Sequence, residues 1–142
     1  MKPMKIGVTG TRHGPTKHQL SQIMEIMNDI QDHALERGWI QIEFHHGDCK
    51  GVDAIAAALA LHVGWKIVSH PPVKDEMRAF TEFNHEARDP KGYLERDRNI
   101  VDEVDFLMVV PYESEWQPKG GTWYTHDYAK KTGTPYKVLW PS

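Results

Sequence analysis

Residues 109–133 read VVPYESEWQPKGGTWYTHDYAKKTG, and this stretch decides the fold. Its apolar start predicts a strand, its last part predicts a helix, and a polar loop joins the two. Gly120, Gly121 and Thr122 stand where the helix begins. Glycine lets the backbone approach an anion, threonine can cap a helix, and the first-turn N–H groups carry the positive end of the helix dipole. The pattern indicates a site for the phosphate of a nucleotide-like ligand, with an ordinary glycine loop as the alternative.

Length and charge predict a single domain that spans residues 1–142. The chain carries a net charge of -3 and has a pI near 6.3, so its overall field does not attract nucleic acid. No apolar run is long enough to cross a membrane, and the opening MKPMK leads into a strand and not into a signal peptide. The single cysteine, Cys49, fits a reducing compartment. We therefore expect a cytoplasmic protein.

The rest of the chain alternates between strand and helix patterns. Short apolar strands are predicted at residues 5–9, 39–45, 66–69, 106–110 and 136–140. Helices are predicted between Pro15-Thr16 and Gly38, and at residues 52–62, 94–104 and 123–131. The helix 52–62 is apolar on nearly every side, so it should be buried. The strands are too continuously apolar for a sheet with one wet face, which predicts an α/β fold with a parallel sheet covered on both sides.

Polar turns follow three of the predicted strands. In parallel α/β sheets, ligands bind outside the carboxyl ends of the strands, where the strand order reverses, so these turns should converge. Short βα loops also favour Gly, Asp and Thr for turn chemistry alone. The residues predicted to bind a ligand there are Gly10, Thr11 and Arg12, then Gly47, Asp48, Gly51 and Asp53, and finally Gly120, Gly121 and Thr122.

Four pieces of the chain resemble, in this order, the SLOG superfamily. They are VTGTR (8–12), HGDCKGVDAIAAALA (46–60), YLERDRNIVDEVDFLMVVP (93–111) and GGTWYTHDYAKKTGTP (120–135). The superfamily includes the Lonely Guy phosphoribohydrolases, the DNA-processing protein A family and a branch of small uncharacterised proteins, which the chain resembles most. The resemblance implies a Rossmann-like three-layer sandwich, here with a mainly parallel five-stranded sheet, and a pocket for nucleotides or nucleotide-derived ligands.

Two arginines match arginines of the superfamily. Lonely Guy enzymes cut the N-glycosidic bond of nucleoside 5'-monophosphates with an arginine and a glutamate, and the resemblance puts Arg96 at their arginine. Arg98 and Asn99 instead match the Arg-Asn pair of the uncharacterised branch. Either arginine can hold a phosphate through its planar fork, so both arginines and Asn99 join the predicted ligand-binding residues.

The catalytic glutamate of the Lonely Guy enzymes has no counterpart. The resemblance puts Thr125 at its position, and threonine cannot act as a carboxylate base. An N-glycosidase would therefore need another carboxylate to stabilise the oxocarbenium-like state or to activate water. Asp48, at the end of the second strand, is the best placed, and Asp53 and Asp127 are poorer candidates.

Three functions from different classes remain open. The first is a binding module, a sensor or a sequestering protein, for a nucleotide-derived small molecule. The second is a nucleoside-monophosphate N-glycosidase that uses Arg96 and Asp48. The third, DNA binding, is disfavoured by the acidic charge and by the lack of an aromatic and basic stripe. No cofactor is predicted. No metal site is predicted either, because neighbouring strand residues such as His45 and His46 point to opposite faces and no second half of a ligand set has the spacing of a zinc site.

Residues 73–92 are charged and weakly periodic, and they form an unusually long connection for an α/β unit. They predict either a lid or subunit arm, in which Arg78 or Arg88 faces the ligand, or a short packing helix at residues 75–87. The chain also has more large aromatics than a core of this size readily hides, which predicts a homodimer or larger homo-oligomer. These aromatics are Trp39, Trp65, Phe80, Phe83, Trp116 and Trp140.

Overall fold

A computed structural model describes residues 2–38 and 41–142. The elements, in chain order, are β1 (Met4–Gly10), α1 (Lys17–Arg37), β2 (Ile42–His46), α2 (Val52–His62), β3 (Lys66–Ser69), β4 (Glu86–Ala87), α3 (Tyr93–Glu103), β5 (Phe106–Val110), α4 (Gly121–Thr132) and β6 (Tyr136–Val138). The strands form one sheet in the order β4-β3-β2-β1-β5-β6, and every paired strand runs parallel to its neighbour. The α/β class and the parallel sheet are confirmed.

The predicted sheet had five strands, and the structure has six. The additional strand, β4, pairs only Glu86 and Ala87 with the edge of β3. A strand of two residues has no alternating pattern that a sequence can show, so the prediction missed it. Part of the predicted second strand, Trp39 and Ile40, lies outside the described residues, and β2 is described from Ile42 onwards.

Local signals explain the ends of α1. Thr16 and Gln19 form a capping box, in which the Thr16 hydroxyl accepts the Gln19 N–H and the Gln19 side chain accepts the Thr16 N–H. Gly38 ends the helix in the left-handed conformation, at φ 75°. These signals made the first helix predictable from its sequence.

Helices cover both faces of the sheet and so create two cores. On one face, α1 and α2 pack against the even-numbered side chains of β1, with Ile23, Met27 and Ala56 at the centre. On the other face, Ile100 and Val101 of α3 and Ala129 of α4 pack against β5. The predicted burial of α2 on nearly every side is wrong, because Ile55 and Leu61 are more than a third exposed.

Residues 73–92 contain no helix, so the predicted packing helix at 75–87 is wrong. The backbone instead runs across the carboxyl ends of β2 and β3, where it forms an isolated bridge between Cys49 and Arg78 before it enters β4. Both arginines of the segment are paired with carboxylates: Arg78 with Asp48, and Arg88 with Glu86 and Glu103. The segment is therefore held to the sheet by its cations.

The strand order places the reversal point between β1 and β5. From β1 the chain moves outward through β2, β3 and β4, whereas β5 and β6 lie on the other side of β1. The loops after β1 and β5 therefore diverge and leave a crevice at the carboxyl edge of the sheet. Among the described residues, no helix has the length and hydropathy of a membrane span.

Candidate functional site

A cavity of about 640 Å³ opens at this reversal point, between the loops that follow β1 and β5. Its volume lies in the range typical of small-molecule sites. The structure brings nine of the predicted site residues to its wall: Gly10, Thr11, Arg12, Gly47, Asp53, Arg96, Gly120, Gly121 and Thr122. Three separate βα turns thus meet around one space.

The glycine turn at the N-terminus of α4 differs from the prediction in its capping residue. Gly120, at φ 100°, is the residue that precedes the helix, and no side chain caps it. Thr122 is the second residue of the helix and does not act as its cap. The first internal hydrogen bond runs from the Tyr124 N–H to the Gly120 carbonyl. The preceding N–H groups of the first turn have no partner within the helix, and their residues Gly121, Thr122 and Trp123 line the cavity, which therefore meets the positive end of the helix dipole.

Arg96 lies at the floor of the cavity and is 5% exposed. Its Nε donates to Asp97 Oδ1 at 2.6 Å, its Nη1 donates to the carbonyls of Gly47 and His70, and its Nη2 lies 3.5 Å from Cys49 Sγ. A Cβ at position 47 would collide with this guanidinium, so only glycine fits there. Most of the arginine fork is thus committed to the protein, and it ties α3 to the turn after β2.

Two buried carboxylates flank Arg96. Asp53 Oδ2 accepts the N–H groups of Gly47 and Cys49 at 3.0 and 3.3 Å, and burial raises the pKa of Asp53 to about 7 against the opposing effect of Arg96. Burial also raises the pKa of Asp97 above its ordinary value. For Arg96, burial lowers the pKa, but the nearby carboxylates outweigh it, so the guanidinium stays charged. Asp53 can therefore hold a proton near neutral pH.

Asp48 does not line the cavity, which corrects its predicted role. Its side chain is buried on the far side of the turn, where the carboxylate accepts Arg78 Nε at 2.8 Å and the Thr81 N–H and hydroxyl at 3.0 and 2.8 Å. These bonds to the charged form lower the pKa of Asp48 although burial acts to raise it. Asp48 therefore fastens residues 73–92 to the sheet.

Three other predicted site residues also lie elsewhere. Gly51 packs against the backbone of the turn after β1, where a Cβ would lie 2.5 Å from the backbone of Thr11 and Arg12. Arg98 donates to the Tyr124 hydroxyl on the outer side of α3 and α4. Asn99 lines a second, smaller cavity of about 290 Å³. Of the two candidate arginines, Arg96 alone lies at the main cavity. Neither Asp127, which is bonded to Trp116 and His126, nor Arg98 belongs to its wall.

The cavity also contains side chains that the sequence prediction missed. Tyr93 lies over Arg96, with the guanidinium carbon 5.6 Å from the ring centroid. At the mouth, the Tyr112 ring lies 4.6 Å from the His13 ring, centroid to centroid. Asp97 was the residue that a helical wheel could have found, because it lies one turn after Tyr93 on α3. The missed lining residues with functional groups are Thr9, His13, Cys49, Glu76, Tyr93, Asp97, Tyr112, Glu113, Lys119, Trp123 and Thr125.

Several of these side chains have structural roles. Trp123 is 2% exposed, donates to Glu113 and packs against Trp140, so it supports the cavity wall from behind. Burial raises the pKa of Cys49 to about 11, which keeps its thiol protonated and unreactive. Arg12, in the loop after β1, and Lys119, next to Gly120 in the chain, are the remaining arginine and lysine of the wall.

Metal-ligating side chains gather at a different place. In the described part of the chain, His45, His70 and Glu103 bring ligand atoms within 4.8 Å of one another. His45 and His46 do point to opposite faces, as predicted: His45 toward α3, and His46 toward Asn84.

Comparison with solved structures identifies the fold. A molybdenum cofactor binding protein from Rippkaea orientalis matches with a TM-score of 0.69 and 21% identity, over 97% of this chain and 77% of that one. The molybdenum cofactor carrier protein from Chlamydomonas reinhardtii gives a TM-score of 0.66 and 19% identity, over 96% of this chain and 76% of that one. DNA processing protein A from Streptococcus pneumoniae gives a TM-score of 0.67 and 15% identity, over 96% and 50%.

No protein-family model matches the chain, and no curated protein matches it significantly. The structural matches share the Rossmann-like α/β architecture, so the fold that the sequence resemblance implies is confirmed. At these sequence identities the matches establish the fold and do not establish a particular activity.

Proposed function

We propose that the protein binds a phosphate-bearing, nucleotide-derived small molecule in the main cavity. The observation that carries this proposal is the uncapped start of α4 at Gly120 and Gly121, which opens into a space of about 640 Å³. A helix N-terminus with free N–H groups is an anion site, and the surrounding volume suits a ligand larger than phosphate alone. Two structural neighbours that bind or carry a small-molecule cofactor support the same general class.

The distribution of charge suggests the orientation of the ligand. The phosphate would lie at the glycine turn, where Lys119 and Arg12 add positive charge. Deeper in the cavity, Asp97 Oδ2 lies 3.7 Å from the position that a Cβ on Gly121 would occupy. That carboxyl oxygen is within reach of sugar hydroxyls beside the phosphate. The Tyr93 ring then offers a flat apolar surface for a base.

The experiment is isothermal titration calorimetry of the protein with AMP, ADP-ribose, the molybdenum cofactor and inorganic phosphate. We expect at least one of the three organic phosphates to bind more tightly than inorganic phosphate, which competes with it. Gly121→Val should abolish binding, because its side chain would fill the space next to the first-turn amides. A Cβ at position 121 does not clash with the fold, since its nearest neighbour is Asp97 Oδ2 at 3.7 Å.

Gly92→Val is the matched control. No atom lies within 4 Å of a Cβ at position 92, and the residue is outside the cavity wall. This variant should bind as the wild type does. The proposal is wrong if no organic phosphate binds, or if Gly121→Val and Gly92→Val bind equally well.

A second candidate function, N-glycosidase activity on nucleoside 5'-monophosphates, is favoured by one observation. Asp97 and Asp53 bring two carboxyl groups of raised pKa into the cavity, in place of the predicted Asp48. A carboxyl group of raised pKa can act as the general acid that protonates the leaving base, and a second, ionised carboxylate beside the ribose can stabilise positive charge on the sugar. Free-base release from AMP that is lost in Asp97→Asn, while AMP binding persists, would establish this activity. Binding without base release leaves the binding function alone.

A further inference from the structure

Three side chains meet on the face of the sheet that α3 covers, away from the main cavity. His45 Nδ1 lies 2.8 Å from His70 Nε2, and Glu103 Oε2 lies 3.3 and 3.2 Å from these two nitrogens. His45 is the last residue of β2 whose side chain lies on the α3 face of the sheet, His70 follows β3, and Glu103 is the last residue of α3. Gly7, opposite His45 in the sheet, leaves room for α3, because a Cβ there would approach Val104 at 2.9 Å. The backbone thus fixes all three positions.

The protonation of His45 follows from its other partner. Its Nε2 lies 3.0 Å from Glu43 Oε1, and a carboxylate only accepts, so Nε2 carries the hydrogen. The lone pair of Nδ1 therefore points at His70 and Glu103. A carboxylate that orients a histidine in this way is the usual outer partner of a metal-bound imidazole. Glu103 is held similarly, since Arg88 Nη2 donates to its Oε1 at 3.1 Å and leaves Oε2 free.

Glu103 Oε2 is the unexplained atom of the group. It is buried, and it accepts no hydrogen bond from the residues that the structure describes. A buried carboxylate oxygen without a donor is costly, and it implies a missing cation or proton donor. A proton shared between the two histidines satisfies their contact but leaves this oxygen without a partner. A cation among the three atoms would satisfy all of them at once.

We propose that His45, His70 and Glu103 form a three-ligand site for a divalent transition metal, with zinc as the test ion. Two imidazoles and one carboxylate are an established ligand set for zinc with an open fourth position. Tetrahedral zinc with bonds of about 2.1 Å separates its ligand atoms by about 3.4 Å, close to the two contacts of Glu103. The two histidines need to part by about half an ångström.

The fourth position has a route to solvent. His70 and Glu103 line the smaller cavity of about 290 Å³, together with Arg88, Lys91, Asn99 and others. The cations Arg88 and Arg96 lie close enough to oppose a metal charge, whereas Glu43 and Glu103 favour it. The same cations would favour a negatively charged fourth ligand, such as hydroxide or a small oxyanion. The site is distinct from the main cavity, although Arg96 touches both through the His70 carbonyl.

The test is a zinc titration of chelator-treated, tag-free protein, read by competition with a chromophoric chelator. We expect one zinc per chain in the wild type. Glu43→Gln should weaken binding by about 10- to 100-fold through loss of the orienting carboxylate, and Glu103→Gln should weaken it further. Cobalt(II) should give the intense visible bands of a four- or five-coordinate site in the wild type and lose them in Glu103→Gln.

Glu95→Gln is the matched control, since Glu95 is an exposed glutamate on the same helix. It should bind zinc as the wild type does. Thermal melts of the metal-free proteins check that each variant is folded. If Glu103→Gln does not fold, His70→Ala replaces it as the variant that lacks a ligand. The proposal is overturned if the wild type binds no zinc at stoichiometry, or if a folded ligand variant retains the wild-type zinc affinity.

Discussion

At the scale of single residues, the floor of the main cavity combines one permanent cation with two carboxyl groups that hold protons unusually well. Arg96 is bonded to Asp97 and to two backbone carbonyls, and Asp53 accepts two backbone N–H groups behind it. Burial of Asp53 disfavours its charged form and raises its pKa to about 7. The state of this floor should therefore change within the physiological pH range.

Asp53→Asn tests this protonation through stability. Because the pKa of Asp53 rises from its ordinary value of 3.8 to about 7 in the folded protein, the folded state binds more protons than the unfolded state between these values. The contribution of Asp53 to the free energy of unfolding thus falls as pH rises from about 4 to about 7, by at most about 4 kcal/mol. Asparagine is uncharged like the protonated carboxyl and does not titrate. The variant therefore lacks this decrease in the free energy of unfolding.

The measurement is urea unfolding of wild type and Asp53→Asn at several pH values between 4 and 8. We expect the variant to gain stability relative to the wild type with increasing pH, up to about 7. The difference between the two proteins cancels the titration of unrelated groups such as His46, whose lowered pKa acts in the opposite direction. A difference that does not change with pH would contradict the raised pKa of Asp53.

At the scale of elements, Asp48 joins residues 73–92 to the end of β2. The buried Asp48 carboxylate accepts three hydrogen bonds from Arg78 and Thr81. The backbone carbonyl of Asp48 also accepts the Ala79 N–H. These contacts replace the packing helix that the sequence suggested. They also place Glu76 and Met77 in the cavity wall, so the segment forms part of that wall while its arginines are held by carboxylates.

Asp48→Asn should loosen this segment and destabilise the fold by about 2 kcal/mol, because the amide cannot replace a charged acceptor for Arg78. Asparagine tolerates the left-handed backbone at this position, φ 54°, so the effect isolates the side-chain contacts. Hydrogen exchange should accelerate at the amides of Ala79 and Thr81. The destabilisation should shrink as pH falls from the ordinary carboxyl pKa of 3.8 through the lowered pKa of folded Asp48, because the wild-type carboxylate loses its charge over that range.

Asp127→Asn is the control for that experiment, since Asp127 is exposed on α4 and far from the segment in the chain. It should leave exchange at Ala79 and Thr81 unchanged. Equal exchange rates in wild type and Asp48→Asn would show that the segment is held by other contacts.

At the scale of the whole molecule, periodic patterns made the helix and sheet layers predictable. The positions of several site residues depend on long-range contacts, which the sequence pattern does not show. The apolar run of β5 and the caps of α1 are local signals, so their elements followed from the sequence. Asp48 follows β2, and only the three-dimensional path of residues 73–92 shows that its carboxylate is paired with Arg78 and Thr81. The same holds for His70 and Glu103, which meet His45 only through the sheet order.

Self-association remains a prediction at this scale. Trp65 is buried and bonded to Gln31, and Trp39 lies outside the described residues, but Phe80 and Trp116 are about half exposed and Trp140 is 38% exposed. Large exposed aromatics favour contact with a second copy of the chain. Light scattering at micromolar concentration should report at least the mass of a dimer. The mass of a single chain across that range would contradict the prediction.

The central claim is that the start of α4 binds the phosphate of the ligand. The most direct test is a titration of ¹⁵N-labelled protein with AMP and, separately, with inorganic phosphate, followed residue by residue through the amide resonances. The proposed site predicts saturable shifts for Gly121, Thr122 and Trp123 with both compounds, and further shifts near Tyr93 and Asp97 with AMP alone. Amides of the first turn of α4 that stay unshifted while other regions respond would contradict the claim.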